Sequence, residues 1–288
     1  MSAVISVKNL KHVYNAGLPN SSVAVEDVSF DIEKGDFIGL IGHTGSGKST
    51  LVQHLNGLLK PTEGDVLIDG KSIWADKKSV RAAKFKVGLC FQYPEYQLFE
   101  ETVSKDIAYG PKNMKLPEDE IRRRVAAAAS FVGLRPEHLE KSPFELSGGE
   151  KRRAAIAGVM AMQPEVLILD EPTAGLDPKG RDTVLGMIEN YRKRTGCTVI
   201  LVSHSMEDVA KTAEKVLVMN KGRVAMFDKT EKVFAKSEEL SEMGLNVPQI
   251  SRVFAILKAK GVPVSDGIFT VDRAVEDIAR LLKGGAAK

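Results

Sequence analysis

The chain has 288 residues, 43% hydrophobic, 27% charged and 6% aromatic, a balance that excludes disordered and fibrous classes. Forty-one Lys and Arg against 38 Asp and Glu leave a formal charge of +3, too small an excess for a dedicated nucleic-acid binder. Two distant cysteines, Cys90 and Cys197, exclude a disulfide scaffold, and no apolar run approaches the roughly 18 residues of a membrane span, so a soluble intracellular chain without a signal peptide is expected.

Residues 4–7 and 23–30 alternate apolar and polar positions, as half-buried antiparallel strands do. Residues 37–41 are a continuous apolar run bounded by glycines, which suits a strand buried on both faces. Immediately after it, Gly42-His-Thr-Gly-Ser-Gly-Lys-Ser49 matches the phosphate-loop pattern G-x-x-x-x-G-K-[ST] at every fixed position, ahead of a helix predicted over 50–59. Glycines let successive backbone N–H groups converge on an anion, and the helix N-terminus adds partial positive charge. Lys48 is placed to reach the β- and γ-phosphates of a nucleotide, and the Ser49 hydroxyl to ligate Mg²⁺. The candidate ATP-binding residues here are Gly42, Thr44, Gly45, Ser46, Gly47, Lys48, Ser49 and Thr50; His43 sits at a variable position.

Further strands are predicted over 66–68 and 87–91, and an exposed helix over 118–132. The Arg122-Arg123-Arg124 run in that helix reads as a solvated face because acidic residues precede it. From about residue 148 the pattern alternates: helix 150–162, strand 166–169, helix 179–194, strand 198–202, then helix, strand and a short hairpin ending near 227. Alternation of this kind implies a mostly parallel sheet with helices on its faces. Val166-Leu-Ile-Leu-Asp170-Glu171 is an apolar strand ending in two carboxylates, which belong at its carboxyl edge, where open α/β sheets bind ligands. Asp170 is the candidate Mg²⁺ partner and Glu171 the candidate base for an attacking water. Beyond residue 228, Ile250, Val253, Phe254 and Leu257 form one helical stripe, and Val271, Val275, Ile278 and Leu282 a second, with Gly261, Pro263 and Gly267 marking the turn between them. The tail from Gly284 is expected to fray.

Leu146-Ser-Gly-Gly-Glu150 resembles the signature motif of ATP-binding-cassette (ABC) ATPases. The order is also theirs: phosphate loop, a lone Gln92, signature, acidic pair, Ala174-Gly-Leu-Asp177, His204. The resemblance covers roughly residues 4–227. It implies an α/β P-loop NTPase cassette with a mostly parallel core sheet, an antiparallel β subdomain and a helical signature subdomain at about 93–163; residues 1–227 would form the ATPase domain and 228–288 a small helical extension. In that family two chains sandwich each nucleotide. By resemblance, Ser147, Gly148 and Gly149 would contact the γ-phosphate held by the partner chain, and Asp177 would lie at the seam. Gln92 would sense Mg²⁺ and the water, His204 would bond the γ-phosphate, and Tyr14 would stack on adenine. The implied catalytic set is Glu171, His204, Gln92 and Lys48, and the implied metal set Ser49, Gln92 and Asp170.

Phe91-Gln-Tyr-Pro-Glu-Tyr-Gln-Leu-Phe-Glu-Glu-Thr-Val103 and Gln53-His-Leu-Asn-Gly-Leu-Leu59 are similar to the energy-coupling-factor (ECF) importer ATPases, specifically the second of their two paralogous types. That narrower resemblance implies uptake of vitamins or metal ions, with a paralogous ATPase (or a second copy), a membrane T subunit and a substrate-binding S component as partners, at the cytoplasmic face of the membrane. The C-terminal extension would help join the ATPases. Glu95, Glu100 and Glu101 are candidate acidic partners for arginines of the T subunit; Tyr96 stands where a more polar residue is expected. Competing readings are an ATPase of another ABC importer class, or a soluble ABC protein acting on nucleic acid or the ribosome. The near-neutral charge and the lack of a coiled coil disfavour the second, and no nucleic-acid partner is expected.

Overall fold

The computed structural model describes residues 3–265 and 267–285. The chain opens with strands β1 (Ala3–Tyr14), β2 (Ser22–Glu33) and β3 (Phe37–Ile41), then helix α1 (Lys48–Leu55), strands β4 (Glu63–Ile68) and β5 (Lys71–Ser72), helix α2 (Lys77–Lys86) and strand β6 (Val87–Cys90). Helices α3 (Val103–Asn113), α4 (Glu118–Phe131), α5 (Pro136–Leu139) and α6 (Gly148–Met160) follow. An alternating stretch comprises β7 (Val166–Asp170), α7 (Pro178–Thr195), β8 (Thr198–Val202), α8 (Met206–Thr212), β9 (Lys215–Asn220) and β10 (Arg223–Lys229). The remainder is helical: α9 (Thr230–Ala235), α10 (Ser237–Glu242), α11 (Gln249–Ala259) and α12 (Val271–Gly285).

Strands β2-β1-β4-β5 form an antiparallel sheet, and β10-β9-β3-β8-β7-β6 a second sheet that is parallel except for the edge strand β10. Every residue of β3, β6 and β8 is buried, which is why these strands read as unbroken apolar runs. Alternate side chains leave opposite faces of a strand. Phe37, Ile41, Leu167, Leu169, Val199 and Leu201 thus join a core with the helices, while Ile38, Leu40, Ile168, Ile200 and Val202 join one with Ile5, Leu10 and Val25 of the antiparallel sheet.

Several elements differ from expectation. Helix α1 begins at Lys48 and stops at Leu55, because Gly57 turns left-handed (φ 71°) and the N–H groups of Leu58 and Leu59 fold back onto the Gln53 carbonyl. Helix α2 was not anticipated. Its composition is too charged to show a stripe and only Ala83 is buried, but Asp76 caps it by accepting the Ser79 N–H at 2.7 Å. The arginine run of α4 pairs along its own helix, Arg123 and Arg124 both reaching Glu120.

Packing continues past the expected boundary at 227/228. Val233, Phe234, Leu240, Leu245 and Val247 belong to the main core, and a separate small cluster of Phe254, Val264 and Ala274 starts only with α11. The α12 stripe faces outward: Val271, Val275 and Leu282 are all more than 60% exposed, while Ala274 and Asp277 are buried. The Asp277 carboxylate accepts the Ser265 N–H at 2.9 Å and the Ser265 hydroxyl at 2.6 Å. Helix α12 continues to Gly285; residues 286–288 of the tail expected to fray lie outside the described residues.

Gly39, in the middle of β3, touches helix α8 directly: a Cβ there would lie 2.4 Å from Cγ1 of Val209. Gly39→Ala is expected to destabilise the fold by about 1–3 kcal/mol through overpacking, read as a lower thermal unfolding midpoint. An unchanged midpoint would show that α8 can withdraw at no cost.

Candidate active site

The phosphate loop runs from the carboxyl end of β3 into α1. Two glycines in it are required by close approach. A Cβ on Gly42 would lie 2.4 Å from both the Met219 carbonyl and the Ser46 hydroxyl; one on Gly47, whose φ is +99°, would lie 2.6 Å from the Ala24 carbonyl. The loop is thereby wedged between β9 and β2, and the Gly222 N–H holds the Ser46 carbonyl at 3.1 Å. Thr44, Gly45 and Ser49 are exposed, whereas Ser46, Lys48 and Thr50 are buried. The Ser46 hydroxyl has no hydrogen-bond partner. The Lys48 ammonium donates to the Gly42 carbonyl at 2.6 Å and the His43 carbonyl at 3.1 Å. Burial lowers its pKa, with the charges of Glu171 and Asp170 opposing.

Asp170 ends β7, and Glu171 follows in a left-handed conformation (φ 51°), its N–H donating to the Val202 carbonyl at 3.0 Å. That turn lifts the second carboxylate off the strand edge. Burial raises the Asp170 pKa, opposed by the charge of Lys48 and a hydrogen bond from Ser49. Burial also pushes Glu171 up to about 7, while the His204 backbone N–H opposes the shift and Asp170 adds to it. One oxygen of Glu171, Oε1, is buried without a hydrogen bond and stands 3.7 Å from Nε2 of His204. His204 follows β8 and its pKa is lowered, chiefly by burial and also by Lys48. Lys48, Asp170, Glu171 and His204 therefore form one electrostatically linked group. Gln92 is exposed just beyond β6, the neighbour of β7, at the same sheet edge.

The remaining candidates lie on other elements. Ser147 caps α6, and Gly148 and Gly149 open it. A Cβ on Gly148 would meet nothing within 4 Å, so this helix start has an open face. The Ser147 hydroxyl donates to Glu150 at 2.7 Å, and Glu150 lies 3.5 Å from the buried His138. Asp177 caps α7 by accepting the Gly180 N–H at 2.8 Å and is exposed. Tyr14 is half-exposed at the end of β1 and shares a 3.2 Å hydrogen bond with the Thr50 hydroxyl.

Glu95 has a partner within its own chain. Both its oxygens accept from Arg152, at 3.1 and 2.7 Å, so this carboxylate is occupied within the chain. Arg152 is buried and also donates to the carbonyls of Ala174 at 2.7 Å and Pro172 at 3.3 Å. One guanidinium thus joins the segment after Gln92, the signature helix and the loop after the acidic pair. Sequence reasoning missed Arg152. The available signal was its spacing, four before Ile156 and eight before Met160, which puts it on the buried stripe of α6. Glu101 instead pairs with Lys105.

Fold and site together define a P-loop ATPase of the nucleotide-binding-cassette class. The family description "ABC transporter" matches residues 25–174. The sequence is 53% identical over 283 residues to the energy-coupling factor transporter ATP-binding protein EcfA2 of Clostridium tetani, covering 98% of each chain. It is 52% identical to the protein of that name from Clostridioides difficile, covering 97% of this chain and 98% of the other. Among solved structures, CbiO1 of Clostridium perfringens, described as part of the ABC transporter complex CbiONQ, superposes with TM-score 0.75 at 37% identity, covering 88% of this chain and all of that one. A cassette solved as a dimer in a post-hydrolysis state with ADP and phosphate superposes with TM-score 0.70 at 27% identity, over 78% of this chain and 98% of that one. The chain belongs to the ABC transporter family, as an ATP-hydrolysing subunit of the energy-coupling-factor type.

Glutamate ordinarily titrates near 4.5 and Glu171 in the folded chain near 7. Between these values the folded chain holds a proton that the unfolded chain releases, so the stability linked to this group is full below about pH 4.5 and declines as pH rises to about 7. Glu171→Gln, which cannot ionise, is expected to match wild-type thermal stability near pH 5 and exceed it near pH 8 in the nucleotide-free chain. A difference independent of pH would show that Glu171 is not desolvated.

Proposed function

We propose that the chain drives an ECF-type importer of vitamins or metal ions by hydrolysing ATP in a head-to-tail dimer with a paralogous ATPase or with itself. The observation that carries the reading is Glu171, a carboxylate held near neutrality beside Asp170, Lys48 and His204 at the end of a buried parallel strand. A general base works best with a pKa close to the working pH. Glu171 accepts the proton of the attacking water through its unbonded Oε1, and the backbone and ring of His204 fix where that water and the γ-phosphate meet. Lys48 leaves its loop carbonyls for the β- and γ-phosphates, and the loop N–H groups from Gly42 to Thr50 cradle them. Phosphoryl transfer is mostly positioning and charge neutralisation, so these residues act by placement.

The donor set at the strand edge, one hydroxyl and one carboxylate linked through Ser49 and Asp170, fits Mg²⁺, which takes few protein oxygens and keeps waters and phosphate oxygens as its other ligands. Ser49, Asp170 and Gln92 would hold it, and it would neutralise charge on the transferring phosphoryl group. Ser147, Gly148 and Gly149 offer a helix N-terminus to the γ-phosphate bound by the partner chain, with Asp177 at the seam; the open face of Gly148 supports this.

Residues 1–227 act as the ATPase unit and 228–288 as the extension that joins the two ATPases, its first part, to Val247, being packed on the ATPase core. The outward stripe of Val271, Val275 and Leu282 supports that role, since so much exposed apolar surface on one helix suits an interface. Exposed Tyr93, Tyr96, Phe99 and Tyr109 gather just after Gln92, the Phe99 and Tyr109 rings meeting edge to face at 5.0 Å. They supply an aromatic platform for the T subunit, which in turn contacts the S component. Among the described residues no helix is long and apolar enough to cross a membrane, and we place the chain at the cytoplasmic face as a peripheral subunit without a nucleic-acid partner.

In the assembled transporter, Glu171→Gln is expected to lower ATP turnover by about 10²–10⁴-fold while ATP still binds. Turnover near wild type would remove Glu171 as the base. Lys48→Ala should weaken ATP binding itself, measured by calorimetric titration; unchanged affinity would remove Lys48 from the phosphate site.

A further inference from the structure

Behind Tyr14 lies a pair of histidines, one buried and one half-buried, that the ATPase chemistry does not use. His54, on the last turn of α1, is fully buried. Its Nδ1 meets the Thr50 carbonyl at 2.7 Å and its Nε2 meets Nδ1 of His12 at 3.1 Å. His12 lies on β1, two residues before Tyr14, and its ring stands edge-on to both neighbours, with centroids 4.5 Å from Tyr14 and 4.7 Å from His54. Tyr14 closes the circuit by sharing a hydrogen bond with the hydroxyl of the same Thr50.

The protons in this circuit are ordered by chemistry. A carbonyl only accepts, so Nδ1 of His54 carries its hydrogen. Burial, with the nearby His12 adding to it, lowers the His54 pKa to about 4, so the ring is neutral near pH 7 and its Nε2 is a bare acceptor. His12 must therefore donate from Nδ1. Two directed hydrogen bonds then run from β1 through His12 and His54 to the backbone of Thr50, the residue that ends the candidate phosphate loop.

We propose that His12 and His54 are positioning residues for ATP, locking the adenine-stacking ring of Tyr14 at a fixed distance from the phosphate loop so that base and phosphates are bound as one rigid template. This rests on Tyr14 being the adenine platform. Without the lock, Tyr14–Thr50 would be the one hydrogen bond left between β1 and α1 among the described residues, and Tyr14 would have to be ordered at each binding event, at an entropic cost borne by affinity. Phosphate binding alone would not feel the loss. The lock should also show in KM for ATP more than in kcat, because neither histidine touches the reacting atoms.

The test is calorimetric titration of the full chain with MgATP and, separately, with inorganic tripolyphosphate plus Mg²⁺, which presents phosphates but no base. His12→Leu keeps bulk but removes the donor; His12→Asn keeps a donor near the Nδ1 position. The expected result is ATP affinity weakened about three- to tenfold in His12→Leu, largely restored in His12→Asn, with tripolyphosphate affinity unchanged in both. Equal weakening of both ligands, or no weakening of either, overturns the proposal. Tyr14→Ala separates the two layers. If it leaves ATP affinity unchanged, the platform reading fails and takes this inference with it. If it weakens ATP while His12→Leu does not, only the histidine lock fails. His54→Gln, with thermal unfolding followed in parallel, gives a second route to the same answer should His12→Leu fold poorly: reduced ATP affinity with tripolyphosphate binding intact supports the lock, and unchanged ATP affinity overturns it.

Discussion

Charge cannot sit inside a strand that is buried on both faces. Strands β3, β6, β7 and β8 are of that kind, and each is apolar up to its carboxyl end. They are also parallel, so their carboxyl ends share one edge of the sheet. Every group that must carry or meet charge is forced to that edge: the phosphate loop after β3, Gln92 after β6, Asp170 and Glu171 at β7, His204 after β8. The same burial that confines the groups there also tunes them. It lowers Lys48 and His204 and raises Asp170 and Glu171, so that in each group burial favours the neutral form.

A sheet edge gathers the groups, but something must tie it to the helical region that carries the signature. Arg152 does so from inside α6. Its guanidinium is split between the Glu95 carboxylate and two carbonyls of the loop after Glu171. Taking this pair out of water is costly, and hydrogen bonds to the remaining donors are what make such burial sustainable. A displacement of the segment after Gln92 would pull on α6 and on the loop that leads to Asp177 at the same time. One side chain therefore links the segment after Gln92, helix α6 and the loop after Glu171.

The sequence displayed what is local. The phosphate loop, the apolar strand ending in Asp170-Glu171 and the signature before α6 are each carried by neighbouring residues, and their order along the chain was readable. Interactions made across the fold were not. Glu95 read as a candidate contact for another chain, with no sign of its partner in this one, because that partner lies 57 positions away. His12 and His54, 42 positions apart, gave no pattern at all. Helix α2 was hidden because a helix held by a cap and one buried alanine has no stripe to show. The stripe of α12 was visible as a stripe, but periodicity reveals that an apolar face exists and not what lies against it; here that face is left outward while Ala274 and Asp277 turn inward.

These same distinctions bear on how the nucleotide edge is held when its groups engage one another. Lys48 is bonded to carbonyls of its own loop, and the Ser147 hydroxyl to its own Glu150. Each of these bonds satisfies a polar group that would otherwise be left unpaired, so neither residue is released without a stronger acceptor. For Lys48 a phosphate oxygen is such an acceptor, because it carries an opposite charge that a loop carbonyl lacks, whereas the Ser147 hydroxyl is already held by a carboxylate. For Lys48 the exchange is internal to one chain. For Ser147 it requires an acceptor brought to the start of α6, where Gly148 leaves an open face. On the proposed reading the two exchanges therefore differ in what they demand: the first needs ATP alone, and the second needs ATP presented by another chain. On the proposed reading, Ser147 stays bonded to Glu150 until the second phosphate loop arrives, and the open N-terminus of α6, more than the serine hydroxyl alone, is what that phosphate meets.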